Sequence, residues 1–206
     1  MLNSNYERLC EVVLPFHGRQ KYMHSFDLAN IDMAEGFEDY LQPVALLCKA
    51  AGALRGIAHM TVDEKVIQAG MSQRRPKPHV DGCFIPALNR WGGGGGSWRH
   101  YYNDVGSSAI GRMPVIVASS VPGCRVWRGL FDGRPAVDGD LSHIESQLDD
   151  GEVLPANVGY LLSPDCVHES MIFERETQRT FLRIALPAAE QAGERVCGKE
   201  VQRGSR

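Results

Sequence analysis

Residues 74–82 read Arg-Arg-Pro-Lys-Pro-His-Val-Asp-Gly and carry the most informative pattern of the sequence. On an extended strand, residues two apart point to the same face. His79 and Asp81 would therefore present an imidazole and a carboxylate to one point, while Val80 faces away. The segment predicts most of a metal site.

A second histidine is needed to complete such a site. Two histidines and one carboxylate form a facial triad that leaves coordination positions open, which is diagnostic of non-haem Fe(II) oxygenases. His168 fits best, because it follows a glycine turn, a strand and a Pro-Asp turn that leads into a new strand. We therefore expect His79, Asp81 and His168 to bind one metal ion.

Two arginines follow the distal histidine. Arg179 and Arg183 are four residues apart and share one face if their segment is a strand. Arginine offers a planar, permanently charged fork that suits a carboxylate. Both side chains can thus point into one cavity and bind a dicarboxylate co-substrate.

The rest of the chain predicts a mainly β fold. Apolar residues at three- and four-residue intervals over 34–54 predict a helix, or two helices meeting near Pro43. Residues 1–30 fit either an outer strand or an ordered extension. Later segments are short, β-branched and separated by turn residues, with a turn expected at Asp63-Glu64. These strand-like segments are 57–62, 65–67, 114–119, 125–131, 159–163 and 180–186. Many strands after an early helical segment suggest a sandwich or jelly roll with N-terminal helices packed on one side.

The order His-x-Asp, distal His, then Arg resembles the Fe(II)/2-oxoglutarate-dependent dioxygenase superfamily over roughly residues 79–186. The resemblance implies a double-stranded β-helix with His79, Asp81 and His168 as the catalytic iron ligands. In its spacing from the distal histidine, Arg179 resembles the co-substrate arginine of the phytanoyl-CoA-hydroxylase-like and taurine-dioxygenase-like branches. Arg183 resembles a second arginine of the latter branch. We expect Arg179 to bind the distal carboxylate of 2-oxoglutarate.

The length of 206 residues and the apolar fraction of 43% predict a single domain, placed over 1–187, with a polar and flexible C-terminal tail over 188–206. The resemblance implies that this domain is a double-stranded β-helix oxygenase. Its cofactors would be Fe(II) and 2-oxoglutarate, with O₂ as oxidant and a primary substrate that the sequence does not identify. Five consecutive glycines at 92–96, bordered by Trp91 and Trp98, suggest either a lid or a tolerated surface insertion. The basic cluster of Arg74, Arg75 and Lys77 suggests either recognition of an anionic substrate or a phosphate backbone, or a solvated surface.

Composition limits the partners and the cellular location that we expect. The net charge of -3 and pI near 6.2 argue against non-specific nucleic-acid binding. A local basic patch would still allow a nucleic-acid partner. Six cysteines without a C-x-x-C pair give no zinc-ribbon or thioredoxin-like site. Neither a secretory signal nor a membrane-spanning apolar run is evident, so we expect reduced thiols, no membrane partner and a cytoplasmic location.

Two other interpretations remain open at this point. The first is a non-catalytic jelly-roll binding or structural module, in which the arginines form ordinary salt bridges. The second is a cupin-like iron enzyme that does not use 2-oxoglutarate. Cupins tend to use more histidines, and the paired arginines would then lack a purpose. Binding of metal and 2-oxoglutarate separates these interpretations from the oxygenase.

Overall fold

The structure is a computed structural model that describes residues 1–81, 84–85, 90–91, 113–136 and 139–187. These residues are mainly β, as the sequence predicts. Their strands are β1 (Leu2–Ser4), β2 (Tyr6–Glu11), β3 (Gln20–Asp27), β4 (Ile57–Ile67), β5 (Phe84–Ile85), β6 (Arg90–Trp91), β7 (Val115–Ser119), β8 (Cys124–Trp127), β9 (Gly129–Phe131), β10 (Glu152–Val153), β11 (Val158–Leu162), β12 (Val167–Ser170) and β13 (Thr177–Ala185).

The largest sheet has six strands in the order β2-β11-β7-β13-β4-β3, with every neighbouring pair antiparallel. The sequence left open whether residues 1–30 form an outer strand or an ordered extension. They contribute outer strands, because β2 and β3 are the two edges of this sheet. A second sheet has the order β10-β8-β12, and β1–β9 and β5–β6 form two-stranded pairs. Side chains of both larger sheets meet in one buried cluster, to which Val117 and Phe181 contribute from one sheet and Val126 from the other.

The turn predicted at Asp63-Glu64 is wrong. Strand β4 runs without interruption from Ile57 to Ile67, so both residues lie within a strand. Both side chains are buried, where each has polar partners. The expectation failed because two adjacent acidic residues are typical of a surface turn unless partners compensate their burial.

The predicted N-terminal helical segment contains one α-helix, α1 (Leu41–Ala50), preceded by a 3₁₀ turn at Glu38–Tyr40. Pro43 is the third residue of α1, where the backbone N–H has no partner within the helix, so the proline lies in the first turn and does not divide the helix. Val44, Leu47 and Cys48 form its buried stripe and pack against one face of the six-stranded sheet.

β13 separates that apolar face from the candidate site. Leu182 and Ile184 belong to the cluster beneath α1. Arg179, Phe181 and Arg183 alternate with them and line a cavity on the opposite face. The period of two along this strand therefore places both arginines on the side away from the helix.

Candidate metal centre

The segment that carries His79 and Asp81 is extended and held between two neighbours. His79 forms an antiparallel bridge with His168 of β12, in which each backbone N–H donates to the other's carbonyl at 2.9 and 3.0 Å. On its other side it bridges Asp140. Val80 points away into a buried cluster with Trp127. This pairing brings the distal histidine next to the His-x-Asp segment.

The three candidate ligands converge. One ligand atom from each of His79, Asp81 and His168 lies within 4.8 Å of the other two. The imidazole centroids are 4.4 Å apart, and His168 Nε2 lies 3.9 Å from Asp81 Oδ1. In the part of the chain that the structure describes, these residues form a cluster able to hold a metal ion.

Hydrogen bonds orient both imidazoles. His79 Nδ1 lies 2.8 Å from the carbonyl of Lys77, and His168 Nδ1 lies 2.9 Å from the carbonyl of Cys166. A carbonyl oxygen can only accept, so Nδ1 carries the proton in each ring. The lone pair of a neutral imidazole then lies on Nε2, which is the arrangement that second-sphere carbonyls give to metal-binding histidines.

The electrostatics favour the protonation states that bind a metal. Burial, and after it the neighbouring His168, lower the pKa of His79 to about 3, so its ring is neutral. Burial by itself would raise the pKa of Asp81, but Arg183 and the two histidines outweigh it and hold that pKa below its usual range. A neutral imidazole beside an ionised carboxylate needs no deprotonation before a cation binds.

The triad forms part of the wall of a cavity of about 430 Å³. Arg179 and Arg183 line the same cavity, so the structure brings together all five residues selected from the sequence. Arg183 is the closer of the two to the triad, because its Nε donates to Asp81 Oδ2 at 2.7 Å. Its side chain is 7% exposed and that of Asp81 is 28% exposed.

Arg179 lies deeper and is only 1% exposed. Its Nε donates to the carbonyl of Val121 at 2.9 Å, and its Nη1 donates to Gln73 Oε1 at 2.5 Å. The rings of Phe173 and Phe181 lie 5.7 and 5.5 Å from the guanidinium carbon. Burial lowers the pKa of Arg179 to about 10, which still leaves it charged at neutral pH.

The basic cluster beside His79 divides between two environments. Arg74 and Arg75 line the cavity, whereas Lys77 is exposed. Arg74 lies 3.5 Å from Asp63, and Arg75 lies 3.7 Å from Asp140. The glycine run at 92–96 and the tail at 188–206 lie outside the described residues.

Sequence reasoning missed two neutral residues that shape the pocket around Arg179. Gln73 accepts a hydrogen bond from its guanidinium, and a Cβ placed on Gly123 would lie 3.1 Å from its Nε. Neither residue has a chemical signature in the sequence. The only signal for Gln73 is its position next to the basic cluster that leads to His79.

No protein-family model matches the chain, and no curated protein matches it significantly. Within the described residues, none of the helices has the length and apolar character needed to cross a bilayer. The geometry of the metal centre is therefore the basis on which a function can be assigned to the chain.

Proposed function

We propose that the protein is an Fe(II)/2-oxoglutarate-dependent dioxygenase that hydroxylates a substrate still to be identified. We further propose that its facing sheets are the double-stranded β-helix, or jelly roll, of that superfamily. The observation that carries the proposal is the convergence of His79, Asp81 and His168 on the cavity that also contains the buried cation of Arg179.

The donor set fits ferrous iron. Two imidazole nitrogens and one carboxylate oxygen form a facial triad, which leaves room for further ligands. Both rings are fixed with Nε2 free to coordinate. Iron and 2-oxoglutarate would supply the oxidising chemistry, in which O₂ is reduced while 2-oxoglutarate is decarboxylated to succinate and CO₂.

The chain's own residues would bind and orient the reactants. The triad would hold the metal, and Arg179 would bind the far carboxylate of 2-oxoglutarate. Since Arg179 is buried, its attraction for a carboxylate is screened little by water. Arg183 would keep Asp81 ionised and in place through their hydrogen bond. The cavity would exclude bulk water from the reacting groups.

One observation favours a second candidate, the non-catalytic jelly-roll module. Arg183 and Asp81 form an ion pair at 2.7 Å, so the carboxylate has a resident counter-charge without any metal. In that account the two histidines and Asp81 serve only packing and hydrogen bonding. The two candidates differ in whether the protein binds iron.

Anaerobic equilibrium dialysis against Fe(II) tests the proposal. We expect about one iron per chain, and we expect His168→Ala to lose this binding because a triad without one ligand holds the metal much more weakly. His143→Ala is the matched control, since His143 is an exposed histidine of the 3₁₀ helix Ser142–Gln147. Wild-type protein that binds no iron would favour the non-catalytic module. Iron-dependent turnover that needs no 2-oxoglutarate would favour the cupin-like enzyme.

A further inference from the structure

We propose that Gln73 is a positioning residue that orients Arg179, without neutralising it, to select a 2-oxo acid with a second, distal carboxylate. The inference rests on the proposed function and extends it to a residue outside the metal triad and outside the arginine pair. It concerns how the site distinguishes a dicarboxylate from a monocarboxylate.

The first support is the fixed orientation of the Gln73 amide. Gln73 is 7% exposed. Its Nε2 donates to the carbonyl of Asp63 at 2.5 Å and lies 3.4 Å from the carbonyl of Arg179, while its Oε1 accepts from Arg179 Nη1 at 2.5 Å. A flipped amide would set its oxygen against two carbonyl oxygens and its N–H₂ against a guanidinium. Only one orientation is therefore satisfied, and it turns the acceptor toward Arg179.

The second support is the immobilisation of the guanidinium. Within the described part of the chain, Gln73 and the carbonyl of Val121 each accept one N–H of Arg179, which leaves three of its five N–H groups for a ligand. Gly123 leaves the space in which the group lies, because a Cβ there would be 2.6 Å from Phe173 Cζ and 3.1 Å from Arg179 Nε. A guanidinium held in this way loses little conformational entropy when a carboxylate binds.

The charge around Arg179 is the third support. Among the described residues, the acceptors that hydrogen-bond to its guanidinium are the neutral amide of Gln73 and the carbonyl of Val121. The carboxylate that acts on it electrostatically, Asp63, is itself in ion pairs with Lys65 and Arg74. A neutral amide orients the cation without cancelling it. A glutamate in place of Gln73 would have nearly the same shape, but it would form an ion pair with Arg179 and compete with an incoming carboxylate. The choice of amide over carboxylate thus keeps a buried positive charge available.

The test compares Gln73→Glu and Gln73→Met with wild-type protein that is loaded with Fe(II) under anaerobic conditions. Calorimetric titration with 2-oxoglutarate is compared with titration with 2-oxopentanoate, which has the same carbon chain but lacks the distal carboxylate. We expect Gln73→Glu to weaken binding of 2-oxoglutarate by at least about tenfold, and Gln73→Met to weaken it by about threefold to tenfold. Binding of 2-oxopentanoate and of Fe(II) should change by less than about twofold in both variants.

Gln178→Glu and Gln178→Met are the matched controls. Gln178 is adjacent to Arg179 on β13 but exposed, so these changes add or remove the same groups without entering the cavity. They should leave both affinities unchanged. If Gln73→Glu fails to fold, as a melting curve would reveal, the ratio of the two affinities in Gln73→Met decides the question.

The outcomes separate this inference from the proposed function. Wild-type protein that binds iron but not 2-oxoglutarate overturns both. Wild-type protein that prefers 2-oxoglutarate to 2-oxopentanoate, beside Gln73 variants that keep the same preference, overturns only the role of Gln73. An equal loss of both ligands in the variants also overturns it, because a merely structural residue would weaken them alike.

Discussion

Arg183 is the side chain whose pairing most constrains the triad. It contacts Asp81 directly, so the carboxylate has a positive partner before any metal arrives. The free energy of metal binding therefore depends on how two cations, the guanidinium of Arg183 and the metal ion, share the carboxylate of Asp81. Removing one partner of a mostly buried pair leaves an uncompensated charge, and the structure as a whole loses stability.

We expect Arg183→Met to lower the free energy of unfolding of the metal-free protein by about 2 kcal/mol, since Asp81 retains some solvent contact. A bound divalent cation would replace the missing charge, so Fe(II) should stabilise this variant by more than it stabilises the wild type. Chemical denaturation with and without anaerobic Fe(II) measures both effects. Arg179→Met is the control, because Arg179 is not paired with Asp81. Equal stabilisation by iron in wild type and Arg183→Met would contradict this account of the pair.

Among the larger elements, β4 forms side-chain hydrogen bonds that connect the N-terminal part of the chain to the six-stranded sheet. Glu64 of β4 accepts hydrogen bonds from the hydroxyl of Tyr40 at 2.7 Å and from the backbone N–H groups of His17 and Arg19 at 2.5 and 2.9 Å. The side chain of Arg19 adds an ion pair at 3.2 Å. One buried carboxylate thus connects the loop before β3 and the start of α1 to the face of the sheet opposite the site.

The pH dependence of stability should reflect this carboxylate. Burial by itself would raise the pKa of Glu64, but the hydrogen bonds from Arg19, Tyr40 and His17 outweigh burial and lower it below the ordinary value of 4.5. A lowered pKa in the folded state contributes stability above the unfolded pKa, and that contribution is lost as pH falls through the folded pKa. Stability should therefore fall from about pH 5 downward.

Glu64→Gln tests that linkage. The variant should be less stable than wild type at pH 7 by about 1–3 kcal/mol, because a neutral amide is a poorer acceptor for these donors and places an N–H₂ among them. The gap should narrow between about pH 5 and pH 3, as measured by urea denaturation at each pH. Glu11→Gln is the control, since Glu11 is exposed at the edge of the sheet. Parallel stability curves for wild type and Glu64→Gln would contradict the assignment.

Over the molecule as a whole, the local periodicity of the sequence predicted more of the candidate site than the composition did. The period of two placed His79 with Asp81, and Arg179 with Arg183, on common faces, and the structure places each pair so. The bridge between His79 and His168 joins segments 89 residues apart, and no spacing in the sequence encodes it. Buried polar residues such as Glu64 and Gln73 were missed because their burial depends on partners contributed by distant segments.

The central claim is that the triad and Arg179 together bind Fe(II) and 2-oxoglutarate. The most direct measurement is an anaerobic titration of the purified protein with both, followed by the weak visible charge-transfer band of the chelate. We predict a band that requires both additions, that is absent in His79→Ala and that persists in His143→Ala. Absence of the band in wild-type protein, or an undiminished band in His79→Ala, would contradict the account.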